Sequence, residues 1–571
     1  MPFPKIKTCV ISSLEKVLPR DDLDAAPVDV TKAARSETAA FQIAACSVTD
    51  ANGEQGFVHT RLELEPSPLA KYVTIRTVGN VGCIRPTNNL DPFVISSKPG
   101  LYPDPLLPKN EIWLQPDVWS AFWIDFRPEA DAPAGRQTLT FRLVCRDGSA
   151  AETLRVTAEV EVLDFELPPQ KLKCIMWFYA DCLMKYYGVE AWSERHWEII
   201  GNYMRDRVRH GINVLFTPLW SVPLDTAVGG ERPTCQLLDI SCDNGRYSFD
   251  FSRLDRWITL ARACGTEHFE MAHAYTQWGA AHAPKIIVRE NGAEIRKFGW
   301  ETDACGEEYR DFLRQLMAAL LPFLRSRDVT PANCAFHVSD EPTERVIENY
   351  AKASTFFRSL LGDYPVIDAL SHVDFFRRGL IDRPIPVTNA LDNFLGEDVA
   401  ERWVYYCGNW ENNVPNRQIG MPSMRNRVLG SLLYRLEMDG FLNWGYNFWF
   451  SRESLDQELD PWHDVCAGGD FAGGGSFVVY PGRDGQPVSS IHYEVFSHGL
   501  QDLRALQLLE SLIGREKTLA LIRSTLPDGS DISITNYPHS AAWLLDLREH
   551  VNQAILAECD KGLPAERRSR F

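Results

Sequence analysis

The sequence predicts a multidomain α/β protein: an all-β N-terminal β-sandwich, a (β/α)8 TIM barrel, and a C-terminal helical extension packed on the barrel. Three observations predict it. Early in the chain, apolar and polar residues alternate in short runs separated by turn residues, the pattern of strands with one buried face. Paired prolines at Pro168-Pro169 then end the last of these runs, because proline cannot continue a ladder. From Leu172 onward, short apolar runs alternate with longer helical stretches. The expected domains are 1–168 for the sandwich, 169–515 for the catalytic barrel and 516–571 for the extension.

Within the sandwich, strands are expected at 39–43, 58–64, 73–77, 121–126, 138–143 and 154–162. Turns fall at Asp50–Gly53, Pro133–Gly135 and Asp147-Gly148, where Gly and Asn tolerate tight backbone geometry. In the barrel, strands are expected at 172–179, 212–217, 268–273, 334–339, 365–370, 386–391, 403–407 and 441–448. Helices are expected at 193–210, 251–264, 307–326, 344–361 and 425–438. A hairpin over 285–297 turns at Asn291-Gly292, a strong two-residue turn signal, and follows the third barrel strand. Helices over 501–513 and 540–558 are expected on the outside of the barrel.

Composition narrows the function. Of 571 residues, 45% are hydrophobic and 24% charged, which excludes wholesale disorder. Lys and Arg number 59 against 77 Asp and Glu, for a net charge of −18. Such a balance argues against a nucleic-acid or anionic-membrane partner, both of which need a basic surface. No run of apolar residues is long enough to span a bilayer, and the N-terminus shows no secretory signal. The 14 cysteines form no C-x-x-C pair and read as reduced, mostly buried thiols. The expected location is therefore cytoplasmic. Phosphate-binding loops, dinucleotide fingerprints, nucleophile elbows and H-E-x-x-H motifs are all absent, so no cofactor and no metal is expected.

The most informative run is Phe336-His337-Val338-Ser339-Asp340-Glu341-Pro342. It places two adjacent carboxylates at the C-terminal end of the fourth barrel strand, the face where barrel enzymes keep their chemistry. Two acids in a partly dry mouth repel, which keeps one protonated and leaves its neighbour charged. A glycosidase needs that pair: a proton donor for the leaving oxygen and a negative charge for the developing cation. The plainer reading is that both acids serve the N-terminus of the next helix, capped at Thr343, with Glu344 in its first turn.

Adjacent strand residues diverge, so they seldom flank one bond as nucleophile and acid about 5 Å apart. Substrate-assisted hydrolysis suits them better. There the substrate's own 2-acetamido oxygen attacks the anomeric carbon, Asp340 steadies the amide nitrogen and Glu341 is the acid/base. Candidate sugar ligands stand at the other strand ends. They are Trp177 and Tyr179 on the first, His273 and Tyr275 after the third, and His337 ahead of the acids on the fourth. Asp392 follows the sixth, Tyr405, Tyr406 and Asn409 lie at the seventh, and Trp444, Tyr446, Asn447 and Trp449 at the eighth. Aromatic faces beside amide and carboxylate groups are the mixture a sugar requires.

These residues give the chain a resemblance to glycoside hydrolase family 123 and to proteins carrying the domain of unknown function 4091. The resemblance rests on Tyr102–Pro108, Phe165–Pro168, Ser339–Pro342, Asp439–Asn447, Asp460–Trp462, Val479–Gly482, Ser489–His492 and Gly499–Leu503. It implies a sandwich joined to a barrel and retaining β-N-acetylgalactosaminidase activity, with the family's Asp-Glu pair at Asp340 and Glu341. The chain departs from the family at His492, where relatives carry Arg, and at Ser497-His498-Gly499, where they carry Arg-Asp-Gly.

The expected function is an exo-acting retaining hydrolase removing terminal β-linked N-acetylgalactosamine or a related 2-acetamido sugar. Its partner is an oligosaccharide or glycoside substrate, and a homo-oligomer is compatible with the sequence. One alternative is a glycosidase with a protein nucleophile such as Asp392, acting on a sugar without the acetamide. The other is a non-hydrolytic carbohydrate-binding protein.

Overall fold

The computed structural model describes residues 3–19, 22–49, 57–88, 92–408 and 413–561. The expected turn at Asp50–Gly53 and the candidate ligand Asn409 lie outside the described residues. The chain forms two compact units. One comprises 1–170, 412–436 and 488–571, and the other 171–411 and 437–487. Residues 412–436 and 488–515, expected within the barrel span, thus belong to the first unit.

The first unit contains two five-stranded sheets. One runs in the order Lys5–Ser12, Ala39–Val48, Ser120–Phe126, Val73–Cys83, Gly100–Leu107. The other runs Thr31–Arg35, Ala150–Glu166, Gly135–Asp147, Val58–Leu64, Glu111–Leu114. Along Ala150–Glu166, Val156, Ala158, Val160 and Val162 all face the core, where Phe41 meets Phe141 edge-on. This two-residue period is what made the inner strands legible. The strands the sequence reading missed include two of the four edge strands, Thr31–Arg35 and Gly100–Leu107. The latter carries Pro103 and Pro105, which only an edge tolerates.

Helices complete this unit. Ile491–Ile513 extends ten residues earlier than expected and is buried on nearly every side, so no polar stripe announced it. It crosses Leu429–Arg435 so closely that a Cβ on Gly430 would lie 1.8 Å from the Gly499 carbonyl oxygen. Only glycine fits there. The helix expected at 425–438 is instead two short ones, Ser423–Arg427 and Leu429–Arg435. His492 and Ser497-His498-Gly499 lie on helix Ile491–Ile513 as well. His492 Nδ1 lies 2.7 Å from buried Asp104 of the Tyr102–Pro108 segment.

The second unit is built on parallel strands. Six form one sheet in the order Cys334–Phe336, His268–Met271, Val214–Thr217, Lys173–Met176, Gly440–Asn443, Trp403–Tyr405. Ile367–Leu370 and Arg383–Pro386 form a separate parallel pair, joined by single bridges from Val366 to Phe336 and from Val387 to Tyr405. Helices Glu194–Arg209, Ser252–Ala263, Glu307–Ser326 and Ile347–Leu361 follow four of these strands. After the fifth and sixth strands stand only the four-residue helix Asp374–Arg377 and the 3-10 segment Thr388–Asn393. The regular alternation of strand and helix therefore lapses.

The hairpin at 285–297 is present as Ile286–Glu290 and Ala293–Phe298, with Asn291 and Gly292 both at positive φ. It joins a second hairpin, Asp239–Asp243 with Arg246–Asp250, in one four-stranded sheet. That hairpin turns on Asn244-Gly245, the same dipeptide signal, which the sequence reading overlooked. None of the 14 cysteines is bridged. Among the described residues, no helix is long and apolar enough to cross a membrane.

Candidate active site

The strand Cys334–Phe336 ends four residues before Asp340, and the intervening chain is held by its neighbours. Ala274 and Tyr275 donate backbone N–H groups to the carbonyls of His337 and Val338, and Ser339 Oγ donates to the Thr276 carbonyl at 2.8 Å. The Trp278 N–H donates to the Asp340 carbonyl at 2.8 Å, and the Glu341 N–H to the Ala369 carbonyl at 3.1 Å. Glu341 sits at φ +41, a left-handed backbone that costs energy for a residue with a Cβ. This turn frees the two acids from the alternation of a strand. Thr343 makes no capping bond, Glu344 pairs with His372 at 3.1 Å, and among the described residues no backbone N–H of the following helix donates to either acid.

The two carboxylates have different surroundings. Glu341 Oε1 accepts the Tyr405 hydroxyl at 2.5 Å and lies 3.9 Å from Cys407 Sγ. The Asp340 carboxylate makes no hydrogen bond to any described side chain. Burial pushes the Asp340 carboxyl well above the usual range, and the neighbouring Glu341 adds to the shift. Tyr405 and Cys407 are both raised by burial and by both acids, so the pair faces one place.

Beneath them lies a fully buried polar network. His337 is held by Asp368 at 2.9 Å on Nδ1 and by Glu270 on Nε2. Glu270 also accepts the Trp177 indole N–H at 2.8 Å, and Asp368 accepts the Tyr350 hydroxyl. Burial opposes a charge on His337, yet the two carboxylates outweigh it and lift the imidazole to about 9. His273 stacks on His337 with ring centroids 4.0 Å apart, and neither of its ring nitrogens has a partner among the described residues. Burial, and then the charge on His337, keep His273 neutral.

His273, His337 and Asp368 come within 4.8 Å of one another, a spacing a metal ion could use. Both nitrogens of His337 are already committed to carboxylates, so the arrangement is a hydrogen-bonded network and not an open coordination site.

A third acid completes the surroundings. Asp225, in the loop after Val214–Thr217, is lifted to about 6, mainly by burial, although the Glu453 N–H donates to its Oδ2 at 3.0 Å. It raises the Asp340 carboxyl further, and Tyr179 feels both acids. Nothing in the local sequence Pro223-Leu224-Asp225-Thr226 marks this aspartate. Trp278, which is 41% exposed and adjacent to Asp340 through the backbone, was likewise missed.

The family model for the glycoside hydrolase 123 catalytic domain matches residues 177–509, a span that holds both acids. The chain belongs to glycoside hydrolase family 123. Among solved structures, this enzyme is similar to a family 123 glycoside hydrolase from Clostridium perfringens, at TM-score 0.70 and 12% identity, covering 98% of each chain. More distant are a Parabacteroides merdae β-glucuronidase (TM-score 0.30, 11% identity, 87% and 53% covered) and a termite-gut family 10 xylanase (TM-score 0.33, 10% identity, 84% and 99% covered). No curated protein sequence matches the chain.

In this family 123 enzyme the sequence-derived ligand candidates divide. Tyr405 touches Glu341, while Trp177, His273 and His337 form the buried floor. Tyr179 gives its hydroxyl to the Trp444 carbonyl at 2.8 Å and its backbone to the Asn447 amide. Other candidates have structural partners instead. Asn447 is engaged in tying Tyr179 in place. Tyr446 donates to the Tyr203 carbonyl and Asp206, and Trp449 to the Val479 carbonyl. Tyr275 packs edge-on against Tyr309 and Phe357, and Tyr406 against Phe441. Trp444 is half-buried against Phe448 and Phe471. Asp392 is exposed on the 3-10 segment. Their periodicity reported burial, which is as common for aromatic groups as ligand contact.

The raised Asp340 carboxyl has a consequence for stability. The folded state keeps the proton while the unfolded chain loses it, so stability falls as pH rises above the ordinary aspartate value. Asp340→Asn removes that cost. Its thermal midpoint is expected to exceed wild type by roughly a few degrees at pH 8 and to converge on it toward pH 4. Matched melting curves at the two pH values check this, and a variant less stable at pH 8 would contradict it.

Proposed function

We propose that this family 123 enzyme is an exo-acting retaining hydrolase of terminal β-linked 2-acetamido sugars, N-acetylgalactosamine foremost, working by substrate-assisted catalysis. We read its second unit as a (β/α)8 barrel with its fifth and sixth helices reduced. The observation that carries the reading is the split environment of Asp340 and Glu341: one half-buried carboxyl that no described side chain hydrogen-bonds, one acid positioned by Tyr405.

The pair holds one proton, which rests on Asp340 in the free enzyme and passes to Glu341 once Asp340 receives the acetamido N–H. In the first step the acetamido oxygen then attacks C1, the C1–O bond to the leaving group breaks, and Glu341 gives that proton to the departing oxygen. The product is a cyclic oxazolinium ion. Asp340 accepts the hydrogen bond of its N–H, and the cation supplies the positive charge that the half-buried carboxylate lacks. In the second step Glu341 takes a proton from water as it attacks C1, reopening the ring with overall retention. Asp225 adds to the negative potential felt by the cation. The similar Clostridium perfringens enzyme is described in connection with glycolipid glycan hydrolysis, which is compatible with a glycan substrate here.

A panel of nitrophenyl β-glycosides tests the reading. Turnover is expected on 2-acetamido sugars, with a β-configured first product by NMR, and none on the matching 2-hydroxy sugars. Equal turnover of the 2-hydroxy sugars would favour a protein nucleophile. No turnover at all would favour the non-hydrolytic alternative.

A further inference from the structure

A hollow of about 260 Å³ opens beside Glu341. Its walls come from three successive strand ends: Ser371 and His372 after Ile367–Leu370, Val387 and Asn389 after Arg383–Pro386, and Tyr405 and Cys407 at Trp403–Tyr405. Glu341 lines it and Asp340 does not. Accepting the reading of Glu341 as the proton donor, the group that departs must lie on this acid's side, because the donor has to reach the glycosidic oxygen.

The lining decides what that group can be. The volume lies just below the roughly 300–1,000 Å³ of pockets that enclose a drug-sized ligand, so it suits one ring and not a chain of them. Apart from the imidazole of His372, Tyr405 is the one ring among the described lining residues, and its hydroxyl is turned to Glu341, so the hollow offers little flat face to an aryl group. Its rim is polar and available. The side chains of Ser371 and Asn389 are exposed and make no hydrogen bond to any described residue. His372 is steadied through Nδ1 by Glu344 at 3.1 Å, and its Nε2 has no described partner. Donors and acceptors fixed around a small polar hollow are the means of binding hydroxyl groups.

We infer that this hollow is the leaving-group site and that Ser371, His372 and Asn389 bind the hydroxyls of a single sugar there. The enzyme then selects glycosides whose aglycone begins with a sugar over simple alkyl or aryl glycosides, and these three residues determine that specificity.

The test compares wild type with His372→Ala, Asn389→Ala and the double variant. The substrates are a disaccharide, in which a terminal β-linked 2-acetamido sugar is joined to a second hexose, and the nitrophenyl glycoside of the same sugar. For the double variant, kcat/KM on the disaccharide is expected to fall about 10- to 100-fold, and on the nitrophenyl glycoside less than about 3-fold. The nitrophenyl arm also reports whether the variants fold. Equal losses on both substrates, or no loss on the disaccharide, would overturn the inference while leaving the acetamido chemistry standing. Failure of wild type to cleave either substrate would overturn the acetamido reading and this inference with it.

Discussion

Glu341→Gln is expected to lower kcat/KM about 10²- to 10⁴-fold on a natural glycoside and far less on a nitrophenyl glycoside. A sugar alcohol leaves poorly without a proton, and Gln cannot supply one. Nitrophenolate is already a stable anion and departs unaided. In the variant, turnover of the nitrophenyl substrate becomes limited by the second step, where Glu341 should take a proton from water. Added azide is a nucleophile that needs no base, so it should restore turnover and give a β-glycosyl azide. The geometry makes the prediction specific. Tyr405 donates to Oε1 at 2.5 Å and Glu341 lines the hollow proposed for the leaving group, so the amide can occupy the same place while lacking the proton. Equal losses on both substrates, with no azide rescue, would remove Glu341 from the acid/base role.

Asp340→Asn is expected to slow both classes of substrate alike, by about 10²- to 10³-fold. In the proposed mechanism its partner is the cationic ring formed after attack, and every substrate passes through that ion. In the free enzyme, burial and Glu341 disfavour the charge on Asp340, and the ion restores the balance. Asparagine fills the same volume without that charge, so binding of a thiazoline mimic of the ion should weaken by a comparable factor. The variant would then combine higher stability at pH 8 with lower activity, the trade expected of a charge held for catalysis. Tight thiazoline binding by Asp340→Asn would refute the role.

Much of this architecture was legible because local pattern and tertiary environment agree. The inner sandwich strands alternate, helices such as Glu307–Ser326 carry one apolar face, and Asn291-Gly292 accepts the positive φ its turn needs. Elements escaped where burial erased the pattern or an edge position permitted exceptions. Ile491–Ile513 is apolar nearly all round, and Gly100–Leu107 holds prolines as an edge strand.

Sequence by itself determined the acid pair, since Ser339-Asp340-Glu341-Pro342 closing an apolar strand is a local signal. It also determined the alternation of strands and helices that places the pair at a strand end. Which residues surround the acids was decided only by tertiary structure. Asp225, Tyr405, His372 and Asn389 reach the site from separate strand ends, and Tyr446, Asn447 and Trp449 are committed elsewhere. Hydrophobic periodicity records whether a side chain is buried. Only the packing of distant segments determines what it is buried against, and the charge on Asp340 depends on that.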